Sequence, residues 1–193
     1  MTTLEMIWRG LQARGFERVK ERRKPGTPPT WRKIFDNAIY WDVCVADSLW
    51  NKGHFGCTIY IQYHPRARDS WGGEKGFLYV IRNHDFTPDG LEPIGTSGSE
   101  RWPSHSSADF LPRFDATLTE HFSKYTTKAN LLQEAIQQLE AFPKRYALRM
   151  VIAFLQQELG QLSAARQNFD LYLDKFPGDR KLLGPWIDQL FAQ

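Results

Sequence analysis

The sequence predicts an α+β fold: an N-terminal helix and an antiparallel sheet of about four strands, followed by an antiparallel region of about five helices. Three observations lead there. Residues 37–64 hold two runs in which every second residue is large and apolar: Ile39, Trp41, Val43 and Val45, then Phe55, Cys57, Ile59, Ile61 and Tyr63. A period of two describes strands with one buried face. From Ser107 onward the apolar spacing becomes three to four, with stops at Pro143, Gly160 and Pro177-Gly178. Between these regions, residues 85–107 are rich in Pro, Gly and Ser and show no periodicity, so they read as a surface excursion. The expected division is 1–106 and 107–193, packed as one unit.

Taken in order, Thr3–Arg14 reads as a helix with Leu4, Ile7, Trp8 and Leu11 on one stripe. Gly15 suits the left-handed C′ position, and Phe16 just beyond it can fold back on the stripe. Lys24–Pro29 cannot continue a helix or a central strand and reads as a loop. Trp31–Phe35 is a short strand, and Asp36-Asn37 a tight turn into the first long strand. Asn51-Lys52-Gly53 joins the two long strands as a hairpin. In that hairpin Cys44 and Cys57 fall on opposite sheet faces, so they are expected as free thiols. Gly76–Asn83 supplies one more strand, apolar on both faces and therefore central or covered. Ser107 is placed to cap a helix running to about Tyr125, and Thr127–Phe142, Arg145–Leu159 and Ser163–Phe176 follow. Asp179 is expected to cap the last helix.

Composition is ordinary for a globular chain, with 41% hydrophobic and 24% charged residues, but seven Trp are many. Large aromatics should carry much of the core, and some should meet a partner. No window approaches the ~20 apolar residues of a membrane span. Arg9 and Arg14 interrupt what would be a signal-peptide core, so the expected compartment is the cytoplasm. Residues 1–33 carry nine Lys/Arg against three Glu, or +6, while the whole chain sums to +3. A basic 14–33 arm fits either nucleic acid or a solvated helix end and turn. The second reading is favoured, because Glu17 and Glu21 interrupt the run and no aromatics interleave it.

Catalytic signatures are missing. The five histidines show no HxxH or HxH spacing, there is no CxxC, and no glycine-rich loop stands between a strand and a helix. Cofactors and metals are therefore not expected. His84-Asp85 is the one pair that would suit an unrecognised enzyme site, against the plainer reading of a hydrogen-bonded strand-end histidine. The partner-facing candidates are Arg66, Arg68 and Trp71 in one loop, Arg101-Trp102 in another, and Tyr40, Asp42 and Tyr60 on the even-numbered face of the hairpin. Arg, Trp and Tyr are the residues enriched where protein interfaces concentrate their binding energy.

Residues 146–177 resemble a tetratricopeptide repeat in Ala153, Gly160, Ala165, Phe169 and Pro177, with departures at Arg149 and Tyr172. No second copy is evident on either side, so the resemblance implies a helical hairpin docked on the sheet region rather than a peptide-binding groove. Residues 4–140 resemble the bacterial domain-of-unknown-function 4304 family. The likeness rests on Gly15-Phe16, the basic segment, Trp31–Phe35, the strands Ile39–Asp47 and Phe55–Tyr63, Trp102 and the paired helices after it. That family implies no catalytic residues or cofactor. Small domains of this kind resemble bacterial antitoxin or immunity proteins. The function expected is thus a non-enzymatic interaction module, most plausibly one that binds and neutralises a toxin.

Overall fold

A computed structural model describes residues 2–19, 29–48, 52–65, 79–93 and 101–192. It is α+β, with two compact units: residues 1–62 with 80–123, and residues 63–79 with 124–193.

The first unit opens with helix α1 (Thr3–Ala13), whose Thr2 hydroxyl and Glu5 carboxylate form a capping box. Its C-terminus closes as a Schellman motif. Gly15, at φ 79°, donates to the Gln12 carbonyl, and Phe16 donates to the Leu11 carbonyl. Phe16 is thereby folded back into the core beside Ile7 and Leu11.

The sheet has seven strands: β1 (Glu17–Arg18), β2 (Thr30–Phe35), β3 (Ile39–Asp47), β4 (His54–Tyr63), β5 (Tyr79–Thr87), β6 (Gly90–Pro93) and β7 (Trp102–Pro103). The first six lie in chain order, and β7 pairs with β4. The expected count of about four is corrected by β1, β6 and β7. Strands of two to four residues are too short to show an alternation. β6 and β7 also lie inside the stretch read as an excursion; β5 runs on past Asn83, and Gly90, at φ 129°, turns the chain back. The β2–β3 turn has positive φ at both Asp36 and Asn37, as a type I′ turn requires, and Ala38 donates to the Phe35 carbonyl.

Odd-numbered residues of β3 and β4, from Ile39 to Tyr63, are buried, so the alternation does define a core face. α2 (Ser107–Thr117) packs there through Phe110 and Phe114. Phe110 meets Phe55 at 5.3 Å and Phe86 at 5.4 Å, and Phe114 meets Phe16 at 6.1 Å. Ser107 is the first helical residue rather than the cap. Ser106 precedes it at φ −87°, ψ 14°, leaving a 3-10 turn (Ser104–Ser106), and makes no side-chain cap bond. Beyond Thr117 the α-helix gives way to a π-helical segment (Leu118–Phe122) and a 3-10 turn (Ser123–Thr126). Thr119 and Ser123 hydroxyls bond back to the carbonyls of Asp115 and Thr119, competing with the α-helical ladder where it fails.

The second unit contains α3 (Lys128–Ala141), α4 (Ala147–Glu158), α5 (Leu162–Lys175) and α6 (Pro177–Phe191). Consecutive helices pack on each other; Phe154 of α4 meets Phe169 of α5 at 5.1 Å and Trp186 of α6 at 5.5 Å. Asp179 is not the cap of α6. Pro177, whose fixed φ suits the first helical position, starts that helix, and Asp179 instead accepts from the Tyr172 hydroxyl at 2.7 Å.

A repetition hidden from side-chain motifs runs through this unit. α3 and α5 each have 14 residues and start 34 residues apart. Each ends on Phe-Pro with nearly the same backbone: Phe142 at φ −131°, ψ 73° and Phe176 at φ −122°, ψ 71°. The same two bonds recur with the same offset. Phe142 donates to Gln138 and Phe176 to Tyr172; Arg145 donates to Phe142 and Asp179 to Phe176.

Candidate functional site

The even-numbered face of the hairpin is where the structure gathers polar candidates. Register places Ile34 opposite Tyr40, Arg32 opposite Asp42 and Thr30 opposite Cys44. Residues directly opposite on paired strands share a face. Three cross-strand pairs therefore line up on β2 and β3, on the side away from the aromatic core.

Arg32 is the centre of this group. Its Nε and Nη2 donate to the two Asp42 carboxylate oxygens at 2.7 and 2.8 Å, and its guanidinium carbon stands 4.6 Å from the Tyr40 ring centroid. Bidentate pairing and ring stacking together fix the guanidinium plane. Asp42 itself is only 4% exposed. It holds Arg32 from below and is not itself open to a partner, which corrects its expected role. Ile34, by contrast, is 55% exposed beside Tyr40.

Further along the face, the Thr58 hydroxyl donates to Asp85 Oδ1 at 2.7 Å, and Thr30 Oγ1 lies 3.0 Å from Cys44 Sγ. Tyr60 is half-buried; desolvation, with Cys44 and Asp85 nearby, raises its phenol above the usual value. Arg101 reaches the same face. A Cβ on Gly56 would stand 2.5 Å from Arg101 Nη1, so the missing side chain makes room for the guanidinium.

Tyr40, Tyr60 and Arg101 thus share one sheet face. Trp102 does not join them. It is 2% exposed, stacks 5.1–5.4 Å from Phe86 and Phe110, and donates its indole N–H to the Phe86 carbonyl at 2.8 Å. β7 pairs Trp102 with Phe55, which puts successive residues Arg101 and Trp102 on opposite faces. Arg66, Arg68 and Trp71 lie outside the described residues.

His84 and Asp85 diverge for the same reason. Asp85 bonds Thr58 on the polar face, whereas the His84 ring meets Phe122 at 6.1 Å on the core face. One pocket does not receive both. Among the described residues no three His, Cys, Asp or Glu side chains converge. Cys57 is buried on the core face, and burial pushes its thiol well above the ordinary value.

The described cations of the 14–33 arm are engaged internally. Arg14 pairs with Asp115 and also donates to the Gly10 carbonyl, Lys33 donates to the Arg14 carbonyl at 2.9 Å, and Arg32 pairs with Asp42. Residues 20–28 of the arm lie outside the described residues.

Sequence reasoning missed Arg32 and Ile34. Their alternation with Trp31, Lys33 and Phe35 is legible, but only the β2–β3 register sets them against Tyr40 and Asp42. Comparison of the chain with protein-family models, with curated proteins and with solved structures finds no match.

Proposed function

We propose that the chain is a non-enzymatic bacterial protein–protein interaction module of the immunity type, which binds a toxin in the cytoplasm and neutralises it. The observation that carries this reading is the Ile34–Tyr40–Arg32–Asp42 group. An exposed isoleucine stands beside a tyrosine whose ring carries a guanidinium locked by a buried carboxylate. Aromatic and Arg anchors whose rotamers are already fixed lose little entropy on binding, which is the usual make-up of an interface hot spot. Tyr60 and Arg101 extend the surface along β4.

A nucleic-acid role for the 14–33 arm is weakened by the internal engagement of Arg14, Arg32 and Lys33. An enzymatic role at His84 and Asp85 is weakened by their placement on opposite sheet faces.

Co-expression with the product of each adjacent gene is the test. One neighbour should be toxic alone, harmless beside this chain, and recovered in a complex with it. Neighbours that are neither toxic nor bound would sink the proposal.

A further inference from the structure

The helical unit carries a second surface that the reading above does not use. Its two Phe-Pro elbows, 34 residues apart, turn the chain from α3 to α4 and from α5 to α6. A helix end normally hides such a ring, yet Phe142 is 59% and Phe176 38% exposed. Tyr146 and Tyr172 stand beside Phe176, with ring centroids 6.4 and 4.9 Å away. Leu182, one turn into α6, is exposed as well.

Cations surround these rings. Arg145 stands 5.4 Å from the Phe142 centroid and Lys175 4.7 Å from that of Tyr146. Lys144 and Lys181 are exposed near the same elbows. None of these four has a carboxylate within ion-pair distance among the described residues. The acids close by are committed elsewhere: Asp174 to Arg180 at 2.6 Å, and Asp179 to the Tyr172 hydroxyl. An apolar centre rimmed by cations lacking counter-charges complements an acidic, apolar-bearing ligand.

We propose that this end of the helical unit docks an acidic segment of a partner protein, with aliphatic or aromatic side chains set against Phe142 and Phe176. Its carboxylates would meet Arg145, Lys175, Lys144 and Lys181. A single-stranded nucleic acid fits less well. Base stacking needs open ring faces, and Arg145 and Lys175 already stand over those of Phe142 and Tyr146. The 34-residue offset gives the surface a structural origin. It is the period of stacked helix–turn–helix arrays, which repeat equivalent positions along one side as a binding surface.

Panning a random 12-residue peptide phage library on the full chain tests this, with a labelled 15-nucleotide single-stranded DNA as a parallel probe. The enriched peptides should carry an excess of Asp and Glu around apolar residues. Synthesised and labelled, they should bind about tenfold more weakly to R145E or K175E. Phe142→Ala should weaken them similarly. Ile34→Asp, on the sheet face, should leave them unchanged, which separates this surface from the one proposed for the toxin. Matching thermal melts show that the variants remain folded. No enrichment, enrichment without acidic character, indifference to the three helical variants, or displacement of bound peptide by the oligonucleotide would each overturn the proposal.

Discussion

Asp42→Ala is the substitution that most fully tests how the sheet face is held together. Asp42 accepts two charge-assisted bonds from Arg32 at 2.7 and 2.8 Å while being almost wholly buried. Removing one member of such a pair costs about 3–5 kcal/mol when both are deep. Arg32 keeps some contact with solvent, with its side chain 19% exposed, so about 2 kcal/mol is the expected loss. Replacing both partners by apolar residues of similar volume removes the charge and its desolvation together. Arg32→Met with Asp42→Leu should therefore lie within about 1 kcal/mol of wild type. Urea unfolding followed by tryptophan fluorescence reads the sheet unit, where Trp31, Trp41 and Trp102 are buried. The midpoint should fall in the single variant with the slope unchanged. The reasoning fails if Asp42→Ala lies within about 0.5 kcal/mol of wild type, or if the double variant is worse than the single.

Trp102→Phe keeps the ring stack but deprives the buried Phe86 carbonyl of its donor, so unfolding should show a loss of about 1–3 kcal/mol; an unchanged midpoint would refute that. Burial raises the Cys57 thiol, and that sets both its reactivity and a pH trend. Mass spectrometry after iodoacetamide at pH 8 should find Cys57 unmodified in the native chain and Cys44 labelled first; equal labelling would contradict the burial. Because the folded thiol sits above its ordinary value of 9.0, the unfolded chain loses that proton first as pH rises. Stability should be full below about pH 8.5 and fall above it, with Tyr60 adding to the loss from about pH 10; a flat profile to pH 10.5 would refute this. Gly160 stands at φ 76° between α4 and α5, so Gly160→Ala should cost about 1–2 kcal/mol in thermal unfolding, and a stabilised variant would contradict it.

How much of this was legible in the sequence depended on periodicity. Ile39–Tyr63 alternates without a break, so its core face could be assigned residue by residue. Gly15-Phe16 carried the α1 terminus because the left-handed position and its hydrophobic contact are local. β1, β6 and β7 were not legible, being held by long-range pairing rather than by any pattern of their own. Trp102 was misplaced for that reason: a tryptophan in a polar stretch looks like a surface anchor until β7 pairs it with Phe55. The polar face was legible for Tyr40 and Tyr60, while Arg32 and Ile34 needed the β2–β3 register. The helical repeat escaped because it lies in backbone geometry and two Phe-Pro pairs, while most side chains between them differ.

Isothermal titration of the chain with the toxic neighbouring gene product tests the central proposal most directly, run beside Ile34→Asp. The wild type should bind with a submicromolar Kd. Ile34→Asp should weaken binding at least about tenfold, because a charge replaces the apolar group beside Tyr40, and its melting temperature should be unchanged. Equal affinity in the two proteins would show that the Ile34–Tyr40 face is not where the partner sits.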